Sequence, residues 1–327
     1  MAAGELLSAL VRAHFDEESA KFTTILNQVI AAEARAGHSQ VAQRLRDLRD
    51  SAPSKDNLSF NKPGRAIPLA RTAKSLDEII EVGYSEVRLR DLILSPSLKN
   101  RLETLVVEQR QKTLLEEHGL QARRRVLLHG PPGTGKTMSA YAIAGELGLP
   151  IARVRLEVLF SRYLGETAST LNDIFNEATR LRAVYLFDEF DALGSPRTDS
   201  GDVGEMRRIV GTFLQLLDAD RSDSIFVAAT NIPSRLDAAL FRRFDDIIEY
   251  DSPSRDGRFE LLTRALRASR LPKSALQKLA NTAEPLSLAD LTSATNDARK
   301  SAVLSGQIEV TEEDVAKAIV ERVNRMS

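Results

Sequence analysis

The stretch His129-Gly130-Pro131-Pro132-Gly133-Thr134-Gly135-Lys136-Thr137 carries the spacing G-x-x-x-x-G-K-[ST] and follows an apolar, β-like run, Arg125-Val126-Leu127-Leu128. That is a P-loop, and its chemistry is the binding of phosphate. Glycines let successive backbone N–H groups turn inward around phosphate oxygens, a lysine reaches the β- and γ-phosphates, and a threonine hydroxyl can hold Mg²⁺. The residues expected to bind the nucleotide are Pro132, Gly133, Thr134, Gly135, Lys136, Thr137 and Met138, with Thr137 also a metal ligand. A helix opening near Gly135 and continuing through Ser139, Ala140, Tyr141, Ala142, Ile143 and Ala144 adds its positive dipole end to the same phosphates. Gly130-Pro131-Pro132-Gly133 alone is ordinary turn chemistry. The strand before it and the helix after it carry the phosphate reading.

Three further stretches suit the same chemistry. Val184-Tyr185-Leu186-Phe187-Asp188-Glu189 is an apolar strand ending in two acids. Asp188 can hold Mg²⁺, directly or through water, and Glu189 can orient and deprotonate an attacking water. Taken alone the pattern is also a strand running into a polar turn. Phe226-Val227-Ala228-Ala229-Thr230-Asn231 repeats the logic with an amide, delivering Asn231 to the sheet edge where open α/β sheets bind ligands, as a sensor of γ-phosphate and water. Finally, Arg242 and Arg243 sit side by side near a helix end in Leu240-Phe241-Arg242-Arg243-Phe244-Asp245. Such a pair suits the γ-phosphate of a neighbouring subunit, where an arginine finger is worth ~10³ to 10⁵ in turnover. The competing reading is a salt bridge to Asp245 or Asp246.

These side chains need a sheet whose strand ends gather at one edge. Strands are expected at 125–128, 151–154, 183–187, 225–229 and 247–250, with helices at 97–115, 167–180 and 204–218. Their alternation predicts an α/β fold, a P-loop parallel sheet with helices on both faces. Segments 76–82 and 87–94 resume apolar patterning ahead of the first helix. After Ser252-Pro253-Ser254 the period is helical only, over 256–268, 273–281, 287–304 and 311–324, so a small all-helical domain follows the sheet. At the N-terminal end, Leu6, Leu10, Phe22, Ile25, Val29, Val41 and Leu45 also fall at helical spacing. The stretch from Ser51 to Pro68, dense in Pro, Gly, Ser and Asn, reads as a linker. The expected organisation is a helical N-terminal unit at 1–50, a linker at 51–75, the P-loop domain at 76–252 and the helical domain at 253–327.

Composition excludes several classes. The chain has 327 residues, 43% hydrophobic and 28% charged, which suits about two domains with real cores. Lys+Arg 45 against Asp+Glu 46 leaves a formal net charge of -1, so bulk electrostatics favours no nucleic acid, membrane or acidic partner. With no cysteine there is no thiolate nucleophile, and the 4 histidines lack metal-ligand spacing, so metal chemistry falls to Mg²⁺ with the nucleotide. The first ten residues carry Glu5 and no basic n-region, and no apolar run spans a bilayer, so a cytoplasmic location is expected.

The ordered set of P-loop, Asp-Glu strand, Asn sensor and arginine pair, followed by a helical lid, resembles the AAA family of ATPases in its narrow sense, from about Leu89 to the C-terminus. The resemblance implies ATP hydrolysis with Mg²⁺ and a ring, usually a hexamer, with ATP at subunit interfaces and both Arg242 and Arg243 acting in trans. It also aligns Ser161-Arg162-Tyr163-Leu164-Gly165-Glu166-Thr167 with the family's aromatic-hydrophobic-Gly pore loop, in which Tyr163, Leu164 and Gly165 would grip an extended polypeptide. Residues 195–202 resemble a second pore loop. Two departures stand out: Pro285-Leu286-Ser287-Leu288-Ala289-Asp290-Leu291 replaces the Gly-rich turn that usually precedes Ala-Asp-Leu, and no arginine occupies the second-sensor place. The second departure fits the protein-remodelling branch and speaks against clamp-loader and initiator relatives.

The expected function is therefore a protein-remodelling ATPase that threads polypeptide, with residues 1–50 as adaptor. Two alternatives stand beside it. Compact single-module bacterial AAA proteins of this layout resemble those encoded beside a subtilisin-like serine protease in toxin-antitoxin or phage-defence pairs, which would make the chain an ATP-switched regulator of that protease. A nucleic-acid motor or loader is the other, disfavoured by the neutral charge and the missing arginine.

Overall fold

The computed structural model describes residues 76, 78–162, 167–191, 202–236, 238–269, 271–307 and 309–325. The N-terminal helical unit, the linker, Tyr163, Leu164, Gly165 and the second pore-loop stretch at 195–201 lie outside the described residues.

Five strands are apolar at nearly every inner position, the pattern of strands covered on both faces. They are β2 (Arg125–His129), β3 (Pro150–Val154), β4 (Val184–Phe187), β5 (Ile225–Thr230) and β6 (Asp246–Glu249). With β1 (Ile80–Tyr84) they form a 6-stranded sheet in the order β1-β3-β4-β5-β2-β6. Neighbours from β3 to β6 run parallel, whereas β1 runs antiparallel along β3, with Ile80 opposite Val154 and Tyr84 opposite Pro150.

Successive side chains of a strand point to opposite faces, so each strand feeds two cores. On one face Leu127, Val154, Tyr185, Phe187, Phe226 and Ala228 pack with residues of α5 (Thr167–Arg180) and α6 (Asp202–Ala219). The rings of Phe175, Phe187, Phe213 and Phe226 form the centre of that core, Phe175 stacking on Phe226 at 5.0 Å. On the other face Val126, Leu128, Val184, Leu186, Val227 and Ala229 meet α1 (Pro96–Arg110) and α3 (Lys136–Leu147). The remaining helices of this part are α2 (Lys112–Glu117), α4 (Leu156–Arg162) and α7 (Ala238–Phe241). Edge strand β6 is fastened to α1 by charge: buried Asp246 takes Arg101 and, at 2.9 Å, Arg123, which also grips Glu108 at 2.6 Å. That contact holds the Glu108 carboxyl below its usual range.

After β6 the chain is helical: α8 (Arg255–Ala265), α9 (Lys273–Thr282), α10 (Leu288–Leu304) and α11 (Glu312–Asn324), which share a core of their own built on Leu262, Leu279, Leu291, Val315 and Ile319. Three of them start on a hydroxyl cap, Ser254, Ser287 and Thr311 each accepting a backbone N–H three residues on. Among the described residues no helix is long and apolar enough to cross a membrane.

The expected α/β class and the parallel sheet are observed, with two differences in detail. The single helix expected at 97–115 is two, because Gln111 leaves helical geometry at φ -103 and ψ 23. α1 buries Leu98, Leu102, Leu105 and Val106, while α2 buries nothing, so no continuous apolar face holds the two in line. The strand β1 was not among the expected strands; its Ile80, Val82 and Gly83 are buried or nearly so against β3.

Phe226 is 1% exposed and stacks on both Phe175 and Tyr185. Phe226→Ala is expected to destabilise the fold by about 3–5 kcal/mol, read as a lower urea midpoint with an unchanged slope.

Candidate active site

The P-loop begins where β2 ends. Gly130 has φ 140, and a Cβ there would strike the Tyr250 carbonyl just past β6, so only glycine lets the chain turn at this point. Gly133 and Gly135 also have positive φ, 72 and 101, and α3 starts directly after Gly135. The buried Lys136 folds its amino group back over the loop, donating to the carbonyls of Gly130 at 2.8 Å and Pro131 at 2.7 Å. Burial pushes its pKa down, while Asp188 and Asp191 pull it up. Thr134 donates to the Pro131 carbonyl at 2.8 Å and closes the loop on itself.

Register brings the other groups to the same edge. In the parallel ladder Phe187 pairs with Ala228, and His129 pairs with Thr230, so the residues after β2, β4 and β5 all emerge together. Asp188 accepts from the Thr137 hydroxyl at 3.2 and 3.0 Å, one to each carboxylate oxygen. A hydroxyl and a carboxylate meeting beside a phosphate-binding loop are hard oxygen donors of the kind Mg²⁺ takes together with phosphate, so Thr137 and Asp188 fit that ion. Glu189 follows with φ 52, in the left-handed region, its N–H donating to Asp188 at 3.1 Å. Asn231 is exposed at the end of β5, and its N–H donates to Asp191 at 3.3 Å. Arg242 and Arg243 are exposed after α7. Neither pairs with Asp245 or Asp246: Asp245 accepts the N–H groups of Arg124 and Arg125, and Asp246 is held by Arg101 and Arg123.

Residues 126–252 match the family described as "ATPase family associated with various cellular activities (AAA)". The chain is 34% identical over 329 residues to an uncharacterized AAA family ATPase, y4kL, of Sinorhizobium fredii, an alignment covering 99% of this chain and 97% of that one. The chain belongs to the AAA family of ATPases. It is also 36% identical to the proteasome-activating nucleotidase of Aeropyrum pernix, over 79% of this chain but 64% of the nucleotidase. Among solved structures the FIGL-1 AAA domain superposes with a TM-score of 0.63 at 25% identity, covering 78% of this chain and 91% of that domain. As an AAA ATPase the protein hydrolyses ATP, and the P-loop groups above are where its nucleotide chemistry is to be sought.

Two residues of this ATPase's site escaped the sequence reading. Asp191 accepts from both the Thr230 hydroxyl, at 2.9 Å, and the Asn231 N–H, tying the end of β5 to the turn after Glu189. Its signal was a third acid three residues beyond Asp188. Arg153 of β3 lies 3.8 Å from Asp188, and its signal was a lone charge inside an apolar strand. The helical domain reaches the site as well: Ala289 donates to the Gly133 carbonyl at 3.2 Å, and a Cβ on Gly133 would meet the Ser287 side chain, 2.8 Å from its Cβ.

Gly133→Ala therefore strains a positive-φ position and drives the start of α10 off the loop. Fluorescent-ATP titration is expected to show weakened binding, with the melting temperature of the sheet core little changed.

Proposed function

We propose that the protein is a ring-forming, protein-remodelling ATPase that threads a polypeptide through its centre, with Mg-ATP bound at Pro132, Gly133, Thr134, Gly135, Lys136, Thr137 and Met138. The observation that carries the nucleotide part is the Lys136 amine already seated among the loop carbonyls with Thr137 on Asp188. Lys136 exchanges those carbonyls for β- and γ-phosphate oxygens. Thr137 and Asp188 would hold Mg²⁺, which would neutralise phosphate charge. Glu189 takes the proton of the attacking water, and Asn231 orients that water beside the γ-phosphate. An arginine of the 242–243 pair from the next subunit answers the charge that builds in the transition state.

Relatives named as proteasome-activating nucleotidases support a protein substrate, as does the Tyr163-Leu164-Gly165 motif. In this reading the chains assemble as a homo-oligomer, a hexamer, and residues 1–50 recruit the substrate or a partner. A subtilisin-like serine protease is the partner that the family resemblance offers for the alternative, in which ATP state switches docking rather than threading.

Lys136→Ala is expected to lose nucleotide binding, whereas Glu189→Gln keeps ATP and turns it over at least ~10²-fold more slowly, as measured by fluorescent-ATP titration and phosphate release. The hydrolysis-dead Glu189→Gln form, isolated from its own cells with Mg-ATP, should retain a protein. That protein is expected to be absent when Tyr163→Ala is added; one that stays bound would replace threading with docking, and recovered nucleic acid would overturn both. In the wild-type background, Tyr163→Ala should keep basal ATPase and lose remodelling.

A further inference from the structure

Side by side in sequence, Arg242 and Arg243 occupy different circumstances in the fold. Nε of Arg243 lies 2.7 Å from Oδ2 of Asp218, near the end of α6, and its backbone N–H donates to Leu240 at 3.0 Å. Its Nε and its backbone N–H are thus engaged within its own chain, in a partly exposed pair. Arg242 is exposed and has no acid partner among the described residues. Asp218 also faces Arg125, a strand residue whose Nε is buried without a hydrogen-bond partner. Burial and Arg124 push the Arg125 guanidinium down, and Asp245, Asp218 and Asp220 pull it up. Asp218 therefore balances positive charge from two sides. The turn is fastened on its other side too, because buried Phe244 packs edge-on against Phe190, the neighbour of Glu189, at 6.3 Å.

A guanidinium that serves a neighbour's γ-phosphate must bring net positive charge to it. Arg243 could do so only by abandoning Asp218, or by carrying that carboxylate toward a polyanion, where like charges repel. Arg242 bears neither cost. We infer that Arg242 alone is the finger presented to the adjoining subunit, and that Arg243 is a positioning residue whose pairing with Asp218 ties the turn to α6. This rests on the reading of a shared nucleotide site, and it revises the expectation that both arginines act in trans.

The test is a charge swap in the full-length chain, with ATP turnover, fluorescent-ATP binding and thermal melting measured for each variant. Arg242→Ala is expected to bind ATP normally and lose ~10³-fold or more in turnover. Arg243→Asp should also lose turnover, and adding Asp218→Arg should restore most of it, since the reversed pair still ties the turn. A folded swap variant as inactive as Arg243→Asp, beside an inactive Arg242→Ala, overturns the inference and leaves the shared site standing. Normal turnover by Arg242→Ala beside an inactive Arg243→Asp also overturns the inference, whereas normal turnover in both variants overturns the shared site itself. Should the swap fail to fold, Asp218→Asn and Arg243→Gln decide: a double variant no worse than either single supports the tether, and fully additive losses overturn it.

Discussion

Parallel pairing of β4, β5 and β2 is the constraint on which the site depends. With Phe187 level with Ala228 and His129 level with Thr230, three chain exits open at one edge. Parallel neighbours cannot be joined by tight turns, so the chain must cross over in helices, and those helices supply the two cores that keep the strands in register. The order also separates the P-loop strand from the acid strand by β5. At about 4.8 Å per strand the interval is roughly 10 Å. Thr137, in the first turn of α3, closes it by reaching Asp188, and Asn231 rises from the strand between them.

The loop is shaped from outside as much as by its own glycines. The Tyr250 carbonyl presses on Gly130 from the β6 side, and Ser287 and Ala289 press on Gly133 from the start of α10. Inside the loop, Lys136 satisfies its buried charge with two carbonyls of the same segment. A buried ammonium without partners is costly, so this arrangement keeps the loop shaped for phosphate while lowering the rearrangement that binding requires. The helical domain, with its separate core, thereby touches the P-loop itself.

Much of this was legible in the chain. Continuous apolar runs such as Val184-Tyr185-Leu186-Phe187 announce strands buried on both faces, and the P-loop pattern sets which strand end matters. The starts of the helices capped by Ser254, Ser287 and Thr311 were readable to within a residue, although the first ends at Ala265 rather than 268. What escaped depends on partners distant in sequence. β1 alternates weakly and is defined by pairing with β3, which no local pattern encodes. The competing salt bridge from the adjacent arginines to Asp245 or Asp246 does not form, since the sheet turns those acids toward Arg101, Arg123, Arg124 and Arg125; what the sequence did not show is that the acid meeting Arg243 comes from α6.

Glu189 stands in a backbone conformation that favours glycine, at φ 52. For a side chain with a Cβ such a position is disfavoured by about 1–2 kcal/mol per residue. In the role proposed for it, the carboxylate thus occupies a place where thermostability and hydrolysis pull in opposite directions. Under selection for heat resistance alone, drift at this position would run toward glycine or asparagine, and on the proposed role of Glu189 it would extinguish turnover before the fold suffered. Stabilising programmes applied to this enzyme must hold that one residue fixed.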